Sequence, residues 1–167
     1  MNARQRREAV LDALRTADAP LSAGTLAKRF AVSRQIIVGD VALLRAQGRD
    51  IDATPRGYLL HRTGAGVVRM IACLHDEEGM RRELLTCVDN GCTVADVIVE
   101  HPLYGQLTGA LQIASRYDVE QFIAKSRQAS PLSILTGGIH LHTLICPDEE
   151  AFQRVCRSLR EEGILLK

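Results

Sequence analysis

Apolar residues recur at helical spacing from Arg4 to Arg15, with Ala9, Val10, Ala13 and Leu14 on one face and charges elsewhere. The segment Ala17–Ser22 interrupts that period. Pro20 breaks the helix, and Ser22 is a suitable N-cap for a second one over Ala23–Phe30. After a short turn, Ala31-Val32-Ser33, the pattern predicts a third helix from Arg34 to about Gln47, capped by Ser33. Gly48 follows where a helix end favours a left-handed residue. Residues 50–60 then read as two short extended pieces around Pro55-Arg56-Gly57, a small hairpin. Helix, helix, tight turn, helix and hairpin make a winged helix-turn-helix.

From Val67 the pattern changes to alternating strands and helices. Val67–Leu74 is an apolar run of strand length, and Asp76 caps a helix that continues to about Val88. A second strand covers Val94–Glu100 and stops at His101-Pro102. A third is expected within Leu103–Leu111, a segment weakened by two glycines. A helix over Asp118–Gln128, a strand over Ile139–Cys146, a helix over Asp148–Glu162 and a short strand at Ile164–Leu166 complete the chain. The expected fold class is α+β: a winged helix-turn-helix over residues 1–62, then a small ferredoxin-like α/β sandwich over 67–167. The linker is placed at His61–Gly66.

Charge supports that division. Residues 1–62 hold eleven Lys/Arg against six Asp/Glu, whereas 63–167 hold ten against fourteen. A basic front and an acidic back fit a nucleic-acid-binding module joined to one that does not meet phosphate. No apolar run approaches the length of a membrane span, and the basic start lacks the apolar core of a secretory signal, so a cytoplasmic chain without a membrane partner is expected. The five cysteines include no C-x-x-C pair and are expected to be reduced, mostly buried thiols.

In a helix-turn-helix, the first residues of the second helix face base edges while its apolar positions anchor it. Here Ser33, Arg34, Gln35 and Val38 occupy the exposed start, and Ile37, Val41 and Leu44 can face the core. Arg and Gln can make paired hydrogen bonds to guanine and adenine edges. Arg56, at the hairpin tip, can reach a phosphate or the minor groove. The competing reading is a protein-interaction winged helix with solvated Arg and Gln. Gly39, inside the recognition helix, costs about 1 kcal/mol against Ala; it either permits close approach to DNA or is simply tolerated.

His140 and His142 stand two apart in a strand-like run, which puts both imidazoles on one face of a sheet. Such a pair starts a transition-metal site or is merely a pair of satisfied or solvated histidines. Further ligands must come from elsewhere, and His75 and Glu83 are candidates. Eight helical residues span about 12 Å, too far for two ligands of one ion. The difficulty is relieved if His75, ahead of the Asp76 cap, folds back over the first turn while Glu83 leans toward the helix N-terminus.

Three segments carry a resemblance that spans both domains: Val32–Val38; Val97–Gly105, containing His101-Pro102-Leu103-Tyr104-Gly105; and Pro131–Thr143, containing His140-Leu141-His142. With the His75…Glu83 spacing, they resemble the niacin-responsive repressors, in which a winged helix precedes a three-histidine regulatory domain. The resemblance implies a homodimer that binds double-stranded operator DNA and represses genes of niacin uptake and NAD synthesis, with nicotinic acid as corepressor. It also implies a divalent metal on His75, Glu83, His140 and His142. Three imidazoles and a carboxylate suit nickel, zinc or iron better than magnesium or calcium. His101 becomes a pocket residue or a support behind one, unless it only marks the turn before Pro102, and Tyr104 on the same interrupted segment can add a hydroxyl to an effector site. The resemblance suggests one departure, Gly39 in place of a longer polar residue, which bears on the operator sequence.

Two other classes compete. A metalloenzyme with a DNA-binding appendage is disfavoured, because the chain has no Gly-rich phosphate loop, nucleophile elbow or H-E-x-x-H. A metal-responsive repressor, in which the ion itself is the signal, would use the same histidines.

Overall fold

The computed structural model describes residues 1–60 and 66–166. The chain divides into two compact units, Met1–Thr63 and Gly64–Lys167. Of the expected linker, His61–Ala65 lie outside the described residues.

The first unit is built from α1 (Ala3–Thr16), α2 (Ala23–Phe30), α3 (Arg34–Ala46), β1 (Ile51–Thr54) and β2 (Gly57–Leu60). Each helix begins where a side chain satisfies its free N–H groups. Asn2 and Gln5 form a reciprocal capping box on α1, Ser22 accepts from Thr25 N, and Ser33 accepts from Ile36 N. Ala31, in the left-handed region at φ 53°, ends α2 and forms the tight turn into α3. Val10, Leu14, Leu26, Ile37 and Val41 meet in the core of this unit. The hairpin is fastened to the segment before α2, where Leu21 and Tyr58 exchange both backbone hydrogen bonds at 2.9 Å.

Asp40, which carries no signal in the sequence pattern, is buried within α3. Arg6 of α1 donates to both of its carboxylate oxygens, at 2.6 and 3.2 Å, and Arg7 stands 3.7 Å away. A paired guanidinium is what makes a buried carboxylate tolerable, and here it ties α1 to the recognition helix.

The second unit runs β3 (Val67–Leu74), α4 (Glu77–Asp89), β4 (Thr93–His101), β5 (Gly105–Ile113), α5 (Arg116–Ser126), a 3-10 helix (Leu132–Thr136), β6 (Ile139–Cys146) and α6 (Glu149–Glu161). The strands form one antiparallel sheet in the order β3-β6-β4-β5. This is the expected α/β sandwich, and its strand-helix succession is the ferredoxin-like one. The strand order differs, because β6 rather than β5 lies between β3 and β4. β6 suits that central position: it carries no Asp, Glu, Lys or Arg on either face. Helices α4, α5 and α6 bury Leu84, Val119, Val155 and Leu159 against Ile71, Val94, Leu111 and Leu144 on one face of the sheet.

Several boundaries move. The helix expected to start at Asp118 is capped by Ser115, and Asp118 is instead the return partner of the box, accepting from Ser115 N at 3.0 Å. The short terminal strand is reduced to a single bridge, Leu165 to Cys73, with Ile164 and Leu166 bonded to the outer edge of β3. The 3-10 helix is an addition to the expected elements. So is the pairing of Cys92 with Cys146, which corrects the expectation of five reduced thiols: the Thr93–Ile145 register sets the two residues opposite each other, 4.2 Å apart at Cα. Cys73, Cys87 and Cys156 are free and buried.

Candidate functional site

The helix face of β6 points His140 and His142 inward, beside Leu144 and Cys146. Across the β3–β6 ladder these imidazoles stand next to Cys73 and Ile71. Glu83 comes down from α4 onto the same spot and is only 1% exposed. His75 leaves the end of β3, and its ring folds over the first turn of α4. His75 Nε2 lies 2.5 Å from Glu83 Oε2, His140 Nε2 is 3.2 Å from both carboxylate oxygens, and His142 Nε2 is 3.4 Å from Oε1. The ligand atoms of His75, Glu83 and His140 all lie within 4.8 Å of one another; His142 falls outside that group and reaches it only through Glu83.

Two glycines make this convergence possible. A Cβ on Gly79 would meet the His75 ring at 2.8 Å, so the imidazole can cover the helix start only because residue 79 has no side chain. Gly138, at φ 96°, lets the start of β6 pass His75, where a Cβ would lie 2.7 Å from the His75 carbonyl oxygen.

The tautomers follow from the partners. His75 Nδ1 faces the Asp76 carbonyl at 2.6 Å, His140 Nδ1 the Gly138 carbonyl at 2.8 Å, and His142 Nδ1 the Asp96 carbonyl at 2.5 Å. A carbonyl oxygen only accepts, so each Nδ1 carries the proton and each Nε2 is left to face Glu83. The Asp96 carbonyl is free for this because β4 shifts register against β6 between Val94 and Ile98, and the Asp96 carboxylate accepts from Thr143 N at 2.9 Å. Without a cation, an Nε2 can donate to the carboxylate only by carrying a second ring proton, at the cost of a buried positive charge. A divalent cation accepts three neutral Nε2 atoms and one carboxylate without such protons. Ligand atoms about 2.1 Å from one ion stand about 3.0–3.4 Å apart, the range in which His140 and His142 hold the carboxylate. The donor set therefore fits a transition metal.

Without an ion, Glu83 and the imidazoles of His75 and His142 favour each other's charged forms. Burial opposes ionisation of Glu83, but the His142, His140 and His75 imidazoles outweigh it and hold the carboxyl well below its usual range. Burial likewise opposes the charged forms of His75 and His142, yet Glu83 moves both upward. Cys73, beside Glu83, is pushed far up by burial and then by that carboxylate, so it stays a thiol. Sequence reasoning missed Cys73 and Asp96, since only the strand register brings them in.

A cavity of about 340 Å³ adjoins His75, with Met80, Pro131 and Ile134 as apolar walls and Ser133, Asp76 and Glu77 as polar ones. His101 and Tyr104 do not line it. They form the β4–β5 turn, where His101 Nδ1 accepts from Leu103 N and Tyr104 N at 3.1 and 3.2 Å, and Tyr104 is 70% exposed.

In the first unit, Ser33, Arg34, Gln35 and Val38 are all exposed at the start of α3, over the buried Ile37, Val41 and Leu44. Arg56 lies at the hairpin tip, half-buried. Ile36 is exposed beside them, an apolar residue that the helical pattern alone does not mark.

A winged helix-turn-helix joined to an α/β domain with a buried imidazole–carboxylate cluster is the layout of a DNA-binding regulator. Comparison with known proteins makes this specific. The HTH domain family matches residues 6–59, and the 3H domain family matches residues 68–167. Transcription repressor NadR of Bacillus subtilis is 46% identical over 168 residues, covering 97% of this chain and 93% of that protein. Probable transcription repressor NiaR of Thermotoga maritima is 42% identical over 165 residues, covering 98% and 94%. The chain belongs to this family, the niacin-responsive transcription repressors. Among the described residues, no helix is long and apolar enough to cross a membrane.

Proposed function

We propose that this repressor binds its operator as a homodimer, holds a divalent transition metal on His75, Glu83, His140 and His142, and uses nicotinic acid as corepressor for genes of niacin uptake and NAD synthesis. The observation that carries the metal reading is the shared ring orientation: three Nδ1 atoms face backbone carbonyls while three Nε2 atoms converge on one carboxylate. Backbone carbonyls in that role fix ring orientation and raise ligand basicity. Nickel, zinc or iron suits such donors.

When bound, the ion would supply a Lewis-acidic position for the carboxylate or ring nitrogen of a pyridine acid. The chain's own contribution is the cavity beside His75, where Met80 and Ile134 can lie against an aromatic ring and Ser133 can hydrogen-bond its polar edge. A part for His101 in effector binding rests on the family resemblance, and one for Tyr104 on its place in the same segment, since both lie on the β4–β5 turn and not in this cavity. On the DNA side, Ser33, Arg34, Gln35 and Val38 read the major groove, and Arg56 holds the backbone from the wing.

A corepressor acts only by its differential affinity for the DNA-competent state, and a coupling of about 1–3 kcal/mol would tighten operator binding roughly 5–150-fold. The test is an operator titration at fixed salt and saturating metal, with nicotinic acid and, separately, with nicotinamide, which lacks the carboxylate. Tightening by nicotinic acid alone is expected. Equal affinity in every arm, together with a loss of binding on metal removal, would replace this reading with that of a metal sensor.

A further inference from the structure

The helices cover one face of the β3-β6-β4-β5 sheet, and the opposite face of β3 and β6 is apolar and open to solvent. Val68 is 57% exposed, Met70 54%, Ile139 48% and Leu74 41%, with Leu141 and Ile145 half-buried among them. Singly exposed hydrophobes are ordinary, but these are neighbours by register: Met70 pairs with Thr143, Val68 with Ile145, Ala72 with Leu141 and Leu74 with Ile139. All eight positions are uncharged. The one charge on β3, Arg69, turns to the helix face and reaches Glu149 at 2.9 Å. On the β4–β5 side the open face becomes polar, where Glu100 pairs with Gln106. An apolar centre with a polar border is the anatomy of a protein interface.

We propose that this open face is the dimer interface of the repressor, each copy laying its β3–β6 surface on that of a second copy about a two-fold axis. The inference rests on the dimer in the proposed function and names its surface. Three features select a second copy. A patch without charge is complementary to itself, as an isologous contact requires, whereas DNA or an acidic protein would need cations that the patch lacks. The outer edge of β3 is already bonded to Ile164 and Leu166, so on that side the sheet is not extended edge to edge and contact is made through the face. The size also suffices. Two eight-residue strands at about 3.3 Å per residue and about 4.8 Å apart project about 250 Å² for the apolar centre, and the whole four-stranded face, polar border included, about 500 Å². Side-chain relief brings that toward the roughly 800 Å² per partner of a standard interface.

The test is sedimentation equilibrium of the full chain from about 1 to 100 µM, for the wild type, Met70→Glu with Ile139→Glu, and Val68→Thr with Met70→Thr. The wild type should be a dimer. The Glu pair should be monomeric with wild-type far-UV circular dichroism and metal content, since the histidines lie on the other face. The Thr pair keeps β-branched residues in the strand and should fold even if the Glu pair does not, with at least a tenfold weaker dimer. Dimers as tight as wild type in the Thr pair would place the interface elsewhere and leave the dimer reading standing. A monomeric wild type would overturn both.

Discussion

The His75 imidazole rests on Gly79, close enough that a methyl group at residue 79 would overlap the ring. This packing decides whether a residue outside α4 can share a ligand site with Glu83, two turns along it. Gly79→Ala ordinarily favours a helix by up to about 1 kcal/mol. Here the gain should be reversed. His75 would be displaced, its Nε2 would no longer reach Glu83, and metal affinity should fall at least tenfold in a chelator competition. A variant with wild-type metal affinity and a raised Tm would show that His75 is not held in this way.

Gly39 behaves in the opposite way. A Cβ there would meet nothing within 4 Å, so no packing inside the domain requires a glycine in mid-helix. Gly39→Ala should therefore stabilise the protein by about 0.5–1 kcal/mol, a rise of a few degrees in Tm. Residue 39 is exposed next to Val38 and one turn beyond Gln35, so operator affinity should fall at the same time. Tighter or unchanged operator binding would mark the glycine as merely tolerated.

Much of the fold was legible because caps and periodicity agree. Ser22, Ser33, Asp76 and Asp148 all cap the helices they announce, and Ile139–Cys146 is a strand with the expected ends. Where two caps compete, the sequence misleads: Ser115 and Asp118 both suit a helix start, and only the reciprocal bonding shows which is the cap. The histidine pair was visible as a period of two, and the His75–Glu83 distance problem was solvable in principle by folding back. What permits it, Gly79 and Gly138, is a steric fact about two segments meeting, and spacing does not carry it. Asp96, Cys73 and the Cys92–Cys146 pair likewise depend on register between strands far apart in the chain.

If Arg34 reads a base edge, Arg34→Ala should cost about 1–3 kcal/mol on the operator and much less on random DNA. Arg56→Ala should weaken both DNAs to similar extents and lower the salt slope of binding by about one, as removal of one phosphate interaction would. Fluorescence anisotropy with both DNAs at three salt concentrations separates the cases. Equal losses on both DNAs for Arg34→Ala would remove it from base reading.

Acid and base should act in opposite directions on the metal-free and metal-loaded protein. In the metal-free protein, His75 and His142 have raised pKa values because Glu83 outweighs their burial. Their stabilising contribution is therefore full below the unfolded value of about 6.5 and is lost as pH rises through the raised folded values. Glu83 is depressed, so its contribution is present above about pH 4.3 and is lost as pH falls through its lower folded value. Metal-free protein should thus be most stable between about pH 4.5 and 6.5 as far as this cluster decides, and less stable toward pH 8.5. A metal needs the same Nε2 atoms unprotonated, so its affinity should rise across that upper window and protons should be released on binding. Thermal melts at pH 6, 7 and 8.5, with chelator and with saturating nickel or zinc, should show Tm curves that diverge as pH increases. His142→Gln should flatten the divergence without abolishing the fold. A metal-induced rise in Tm that stays constant from pH 6 to 8.5 would mean that the ion, if bound, is not held by these imidazoles.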